Sequence, residues 1–219
     1  GDDQDDDAVF LLNRPIEWTK EGILYEADQR HVEIITRDLG LEGKNRVTPF
    51  PYEKISTEEL NNPTPELEGE NATRFRAIVA RGNYLSQDRS DVRYAIKELS
   101  RNMSKPTEGD WTRLKRVGRY LAEHPRLIQK FKYQGTTKFI DCWVDTDFAG
   151  CKKTRRSTNG GVLTLGDHVL KTWSTTQAIV ALSSGEAEYY GLVKGASIAL
   201  GAKSMLQDLG INVIIRLRT

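Results

Sequence analysis

Phe139-Ile140-Asp141-Cys142-Trp143-Val144-Asp145 repeats with a period of two. Ile140, Cys142 and Val144 share one face, and Phe139, Asp141, Trp143 and Asp145 share the other. Successive strand side chains point to opposite faces, so the run predicts a strand with one face on a core. Beyond it lies a charged loop, Lys152-Lys153-Thr154-Arg155-Arg156, then the apolar run Gly161-Val162-Leu163-Thr164-Leu165. Gly166-Asp167 separates that run from His168-Val169-Leu170-Lys171-Thr172-Trp173, which predicts a hairpin with a two-residue loop. A long helix follows, and Asn212-Val213-Ile214-Ile215-Arg216-Leu217 reads as a last strand. The expected class is α/β: three antiparallel strands, a helix, and a fourth strand reached by crossover.

Upstream the pattern changes. Val9-Phe10-Leu11-Leu12 and Ile23-Leu24-Tyr25 are strand-like, with Pro15 and Gly22 between them as punctuation. A helix is expected from about Asp28 to Leu39, because Val32, Ile35 and Leu39 recur at helical spacing and Gly40 can stop it. Residues 43–69 hold four prolines and many Asn, Thr and Glu, which predicts a linker or long loop. Three helices should follow: 72–85, one beginning after Ser90, and one after Pro106 carrying Trp111, Leu114, Val117, Tyr120 and Leu121. Aromatics at that spacing point to a core rather than to a base-stacking platform. The expected divisions are an acidic disordered tail at 1–7, a segment with linker at 8–70, a helical region at 71–126 and a sheet domain at 127–219.

Composition limits the partners. At 219 residues with 38% hydrophobic and 29% charged residues, the chain reads as a soluble globular protein. No run of eighteen apolar residues and no signal peptide is present, so no membrane partner is expected. The leading Gly1 suggests a fragment or a processed product. Asp2, Asp3, Asp5, Asp6 and Asp7 form a self-repelling run, and without those five charges the net +1 becomes +6 (1 + 5), mild enough to permit a nucleic-acid partner. The two cysteines and three histidines show no zinc-like spacing, and Cys142 belongs to the apolar strand face.

Two carboxylates can be separated by the start of the long helix. Ser183-Ser184-Gly185-Glu186 has the form of a capping box, which commits Glu186 to the Ser183 backbone. Glu188 is not needed there, and it repeats with Gly191, Leu192, Gly195 and Ala199, a small or apolar stripe suited to lying on a sheet. Asp145 closes the strand, with Asp147 as runner-up one strand period on. Carboxylates brought together repel unless a divalent cation neutralises them, and an all-oxygen set suits Mg2+ or Mn2+. An Asp at a strand end and a Glu in a first helical turn are also common stabilising placements, so spacing alone leaves both readings open.

Several motifs carry a resemblance. Val144-Asp145-Thr146-Asp147-Phe148-Ala149-Gly150, Arg156-Ser157-Thr158-Asn159-Gly160-Gly161, Trp173-Ser174-Thr175-Thr176-Gln177 and Ala181-Leu182-Ser183-Ser184-Gly185-Glu186-Ala187-Glu188-Tyr189 occur in order. They resemble the corresponding segments of copia-type ribonuclease H domains. Tyr84-Leu85-Ser86 and Arg89-Ser90-Asp91-Val92-Arg93-Tyr94-Ala95 resemble the stretch between polymerase and ribonuclease H in those polyproteins. The resemblance implies the tail and connection region of a reverse transcriptase, then the N-terminal part of a ribonuclease H-like mixed sheet. It implies Asp145 and Glu188 as metal-binding catalytic residues with Mg2+ or Mn2+, and hydrolysis of the RNA strand of RNA–DNA hybrids. The upstream reverse transcriptase domain becomes an expected partner, and the expected location is the cytoplasm, in virus-like particles, or the nucleus.

The sequence also departs from that family. Ribonuclease H uses four acids, the third an Asp at the end of the fourth strand, where this chain reads Arg216-Leu217-Arg218-Thr219. Two of four ligands are expected here, hence weak or no hydrolysis by the chain alone, with an exposed apolar sheet edge prone to aggregation. Lys152, Lys153, Arg155 and Arg156 beside Asp145 are expected to contact phosphates, or else to be a solvated loop. No Tyr-x-Asp-Asp polymerase motif and no Gly-rich nucleotide loop occurs. An incomplete nuclease, a non-catalytic hybrid-binding module and a decayed copy are therefore the function classes to separate.

Overall fold

Short β-prone runs joined by tight turns open the chain, of which the computed structural model describes residues 7–43 and 48–219. The acidic run 1–6 lies outside the described residues. Strands β1 (Ala8–Leu11), β2 (Arg14–Thr19) and β3 (Gly22–Glu26) form an antiparallel meander, with β4 (Ile128–Lys132) completing the order β1-β2-β3-β4. Leu12 and Asn13 both sit at positive φ (52° and 61°), the backbone of a two-residue hairpin turn whose twist matches its strands. β2 is a correction to the reading of Pro15 as a break. Pro15 is instead the second residue of that strand, opposite Phe10.

Five helices follow β3: α1 (Arg30–Asp38), α2 (Thr57–Asn61), α3 (Gly69–Leu85), α4 (Ser90–Ser100) and α5 (Glu108–Glu123). Gly40 takes φ +65° just past α1, as its position predicts. α2 is a single turn within the expected loop, where the Ser56 side chain accepts from the Glu59 amide. Pairing of Glu66 with Thr107 further orders that stretch. One core gathers Val32, Ile35 and Leu39 of α1, Phe75, Ile78 and Val79 of α3, Val92, Ile96 and Leu99 of α4, and Leu114, Val117 and Leu121 of α5. Trp111 and Tyr120 pack partly buried against it. The chain divides into two compact units, 1–130 and 131–219, so residues from both sides of the loop at 43–69 build the first unit together.

A polar hub sits at the α3–α4 turn. Arg89, 1% exposed, chelates the Asp91 carboxylate through Nε and Nη2 (2.7 Å to Oδ2) and donates to the carbonyls of His124 (2.8 Å) and Pro125 (3.1 Å). Its neighbour Asp88 accepts from Arg14 of β2 (2.7 Å) and Tyr25 of β3 (2.6 Å). Burial and the bond to Asp88 push the Tyr25 phenol up to about 12. A buried guanidinium is tolerated only when its donors are satisfied, and here they tie the start of α4 to the end of α5.

The second unit is the mixed sheet. β5 (Phe139–Asp147), β6 (Thr158–Leu165) and β7 (His168–Thr176) run antiparallel, then α6 (Ser184–Asp208) crosses to β8 (Ile214–Arg218), parallel to β5. The order is β7-β6-β5-β8. Leu165 pairs with His168 around Gly166-Asp167, the expected two-residue loop. Ile140, Cys142 and Leu163 are buried on the face that α6 covers, and burial raises the Cys142 thiol. The α/β class and the strand sequence thus match the reading of the sequence. Among the described residues no helix is long and apolar enough to cross a membrane.

Replacing Arg89 with Met leaves the half-buried Asp91 carboxylate and the carbonyls of His124 and Pro125 without their donor. The expected loss is about 1.5–3 kcal/mol of stability in urea denaturation. A loss under about 1 kcal/mol would mean that the hub does not hold the helices together.

Candidate acidic site on the second sheet

Side-chain alternation along β5 decides where each acid goes. Val144 and Thr146 face α6; Asp145 and Asp147 point to the other face with Asp141 and Trp143. Asp145 is exposed, opposite Gly160 of β6, and its carboxylate makes no hydrogen bond or ion pair among the described residues. Asp147 ends the strand with its carboxylate folded over Gly150, whose amide donates to the Asp147 carbonyl at 3.3 Å. It is thereby engaged in the local turn.

Asp141 is the ion-paired acid of this face, and sequence reasoning did not single it out. It lies opposite Arg216 of β8 and accepts from that guanidinium at 2.8 and 2.5 Å, with Arg218 adding a bond at 3.2 Å. Those arginines also stack on aromatics, Arg216 at 4.0 Å from the Phe139 ring centre and Arg218 at 5.4 Å from that of Trp143. Hydrogen bonding from Arg216 holds the Asp141 carboxyl below its usual range against the opposing effect of burial. The signal was hidden because the parallel register of β8 on β5 is a long-range fact.

At the start of α6, Ser183 accepts from the Glu186 amide at 3.1 Å, as a capping box requires. Glu186 departs from that motif by one residue: its Oε2 accepts from the Leu182 amide at 2.7 Å rather than from Ser183. Ser183 is extended (φ −146°, ψ 165°), and it is the preceding amide that meets the carboxylate. Glu186 Oε1 also accepts from Tyr190 at 3.2 Å, so this acid is committed, as the cap argument expects.

Ala187, Gly191, Gly195 and Ala199 form the buried stripe of α6. A Cβ on Gly191 would stand 2.5 Å from Thr146 Oγ1, and one on Gly195 would stand 2.5 Å from Val144 Cγ2. Glu188 stands exposed beside this stripe rather than inside it, one residue after Ala187. Its carboxylate makes no hydrogen bond or ion pair among the described residues. The two acids are uncommitted oxygen donors of the kind Mg2+ or Mn2+ prefers, but the structure brings them into no mutual contact. Among the described residues no three His, Cys, Asp or Glu side chains group to hold a metal.

Lys152, Lys153, Arg155 and Arg156 are all exposed on a loop closed by Arg155 N to Cys151 O (2.7 Å) and Cys151 N to Arg156 O (3.1 Å). A buried polar set was missed altogether: Asn159 of β6 and Gln177 just after β7 are about 5% and 6% exposed. Both lie inside motifs quoted above, yet nothing local distinguishes a buried amide from a loop amide.

The fold and these side chains define a two-unit α/β protein with one uncommitted acid on its mixed sheet, Asp145, and another, Glu188, at the start of the helix that covers it. The chain belongs to the copia-type retrotransposon Pol polyprotein family. It is 30% identical over 95% of its length to the retrovirus-related Pol polyprotein from transposon RE2 of Arabidopsis thaliana, and 33% identical over 87% to that from transposon RE1 of the same plant. It spans only 14% and 13% of those polyproteins. It is also 32% identical over 80% of its length to the uncharacterized mitochondrial protein AtMg00810 of Arabidopsis thaliana, of which it covers 70%. No family model matches the chain, and no solved structure matches it.

A pH test follows from Asp141. A carboxyl whose pKa is lowered by folding adds stability above its unfolded value near 4, and that stability is lost as pH falls through the lowered folded value. Asp141→Asn should therefore be less stable than the parent near neutral pH, with the gap closing toward acid. A gap of constant size from pH 7 to pH 2 would contradict the pairing with Arg216.

Proposed function

We propose that this chain is the connection region and the N-terminal part of the ribonuclease H module of its polyprotein. In this reading Asp145 and Glu188 are metal ligands for hydrolysis of the RNA strand of an RNA–DNA hybrid. One observation carries it: β8 runs parallel beside β5 with Trp143 opposite Arg218. Two positions further on, the residue following Thr219 would stand opposite Asp145 if the strand continued. That is where the family's third acid is expected, next to the first. The topology of three antiparallel strands, helix and parallel strand is the order expected from the resemblance, and it supports the same reading.

Divalent ions would supply charge neutralisation at the phosphate and a clamp on the attacking water and the leaving oxygen. Asp145 and Glu188 would contribute oxygen ligands from the sheet and from the start of α6. Lys152, Lys153, Arg155 and Arg156 extend from the loop that leaves Asp147, so phosphates held there would lie along the same end of the sheet. The upstream reverse transcriptase domain of the polyprotein would deliver the hybrid.

The test is cleavage of a hybrid with separately labelled strands in Mg2+ or Mn2+. Slow cleavage of the RNA strand alone is expected, abolished by Asp145→Asn or Glu188→Gln and quickened by appending one Asp after Thr219. Neutralising the four loop cations should lower the salt slope of hybrid binding by about 3. Cleavage that survives both acid variants would overturn the metal assignment. Tight, salt-dependent binding without cleavage, even with the added Asp, would favour a non-catalytic hybrid-binding module.

A further inference from the structure

We propose that Gln177 is a positioning residue for the acidic pair, fixing the start of α6 against β5 through its side-chain amide. This rests on the reading of Asp145 and Glu188 as ligands. Gln177 Nε2 donates to the Asn159 side-chain oxygen at 2.6 Å and to the Ala187 carbonyl at 2.8 Å. The same Asn159 oxygen accepts from Thr146 Oγ1 at 3.2 Å. A continuous chain of bonds thus runs from Thr146 through Asn159 and Gln177 to Ala187. Its first member follows Asp145 in sequence, and its last precedes Glu188.

Three features point to positioning rather than to filler. The amide is 6% exposed, and its backbone is itself pinned by a bond from Gln177 N to the Ser157 carbonyl at 2.9 Å. Its orientation is determined, because turning the amide over would set its oxygen against two acceptors, Asn159 Oδ1 and Ala187 O. That orientation leaves Gln177 Oε1 buried with no partner among the described residues. An unsatisfied buried carbonyl costs stability, and such a cost is expected where an arrangement serves a site. Gly191 completes the device: with no Cβ it lets α6 come down on Thr146 and Asn159, where a methyl group would stand 2.5 Å and 3.5 Å from their oxygens.

The experiment is Mn2+ binding to the full chain, read by water-proton relaxation, beside thermal melting of each variant. Gln177→Met keeps the volume and removes both donors; Leu206→Ala disturbs the far end of α6 and leaves the chain of bonds intact. The expected result is Mn2+ binding by the parent that Asp145→Asn removes. Gln177→Met should weaken it about tenfold, the size of effect typical of groups that orient metal ligands. Leu206→Ala should melt earlier with its Mn2+ affinity unchanged. If Gln177→Met does not fold, Thr146→Val removes the outer link alone and should also weaken binding, by about tenfold. Parent-like affinity in Gln177→Met, or in Thr146→Val where that variant stands in, with a lowered melting point would overturn the proposal and leave the residue purely structural. Parent binding no stronger than that of Asp145→Asn would instead defeat the ligand reading, and the positioning role with it.

Discussion

Close contact between α6 and β5 is the constraint on which the second unit depends. Glycines at 191 and 195 remove the side chains that would otherwise separate helix from sheet, so Val144, Cys142 and Thr146 meet helix backbone directly. Packing at that distance gains dispersion energy along the whole stripe, and it leaves little freedom to slide. The helix start is then fixed relative to the end of β5. A looser helix with alanine or leucine at these positions would still bury apolar surface. It would leave the start of the helix freer to shift against the end of β5.

In the first unit the comparable constraint is polar. Arg89 is buried at the turn into α4, and its donors find one carboxylate and two carbonyls. Each of those partners would be costly to leave bare, so the hub specifies how α4 meets α5 rather than merely adding attraction. Asp88 extends the same logic to β2 and β3 through Arg14 and Tyr25. The helices and the small sheet therefore share one polar junction, while the apolar core is built by the helices and the segments next to them.

Local periodicity was enough to read most elements. The alternation along 139–145, the Gly166-Asp167 turn and the stripes of α3, α4 and α5 all lie within a few residues, where sequence reports structure directly. The failures have a common cause in longer-range facts. Pro15 was taken as a break because a proline lacks an amide donor, but the Leu12-Asn13 turn sets it opposite Phe10 of β1, one residue before the pairing of β2 with β3 begins at Ile16. The bidentate Asp141–Arg216 bond required knowing that β8 returns beside β5 and in what register. Glu186 was read as the cap acid, and it is one; only the amide it meets is displaced by one residue. The buried set around Gln177 was invisible for a different reason: amides bond equally well to water and to protein, and composition cannot tell the two apart. Of the candidate site, the identities of the acids were legible. The contrast between committed and uncommitted carboxylates, Asp141 and Glu186 against Asp145 and Glu188, needed the folded chain.

The central claim is that Asp145 and Glu188 serve one metal site. Backbone amide spectra of the labelled chain titrated with Mn2+ test it most directly, because the paramagnetic ion broadens only resonances near it. The account predicts that the amides of Asp145 and Glu188 broaden together at the lowest Mn2+ concentrations, while those around Leu206 at the far end of α6 stay sharp. Broadening at one acid without the other, or spread evenly over exposed carboxylates, would contradict it.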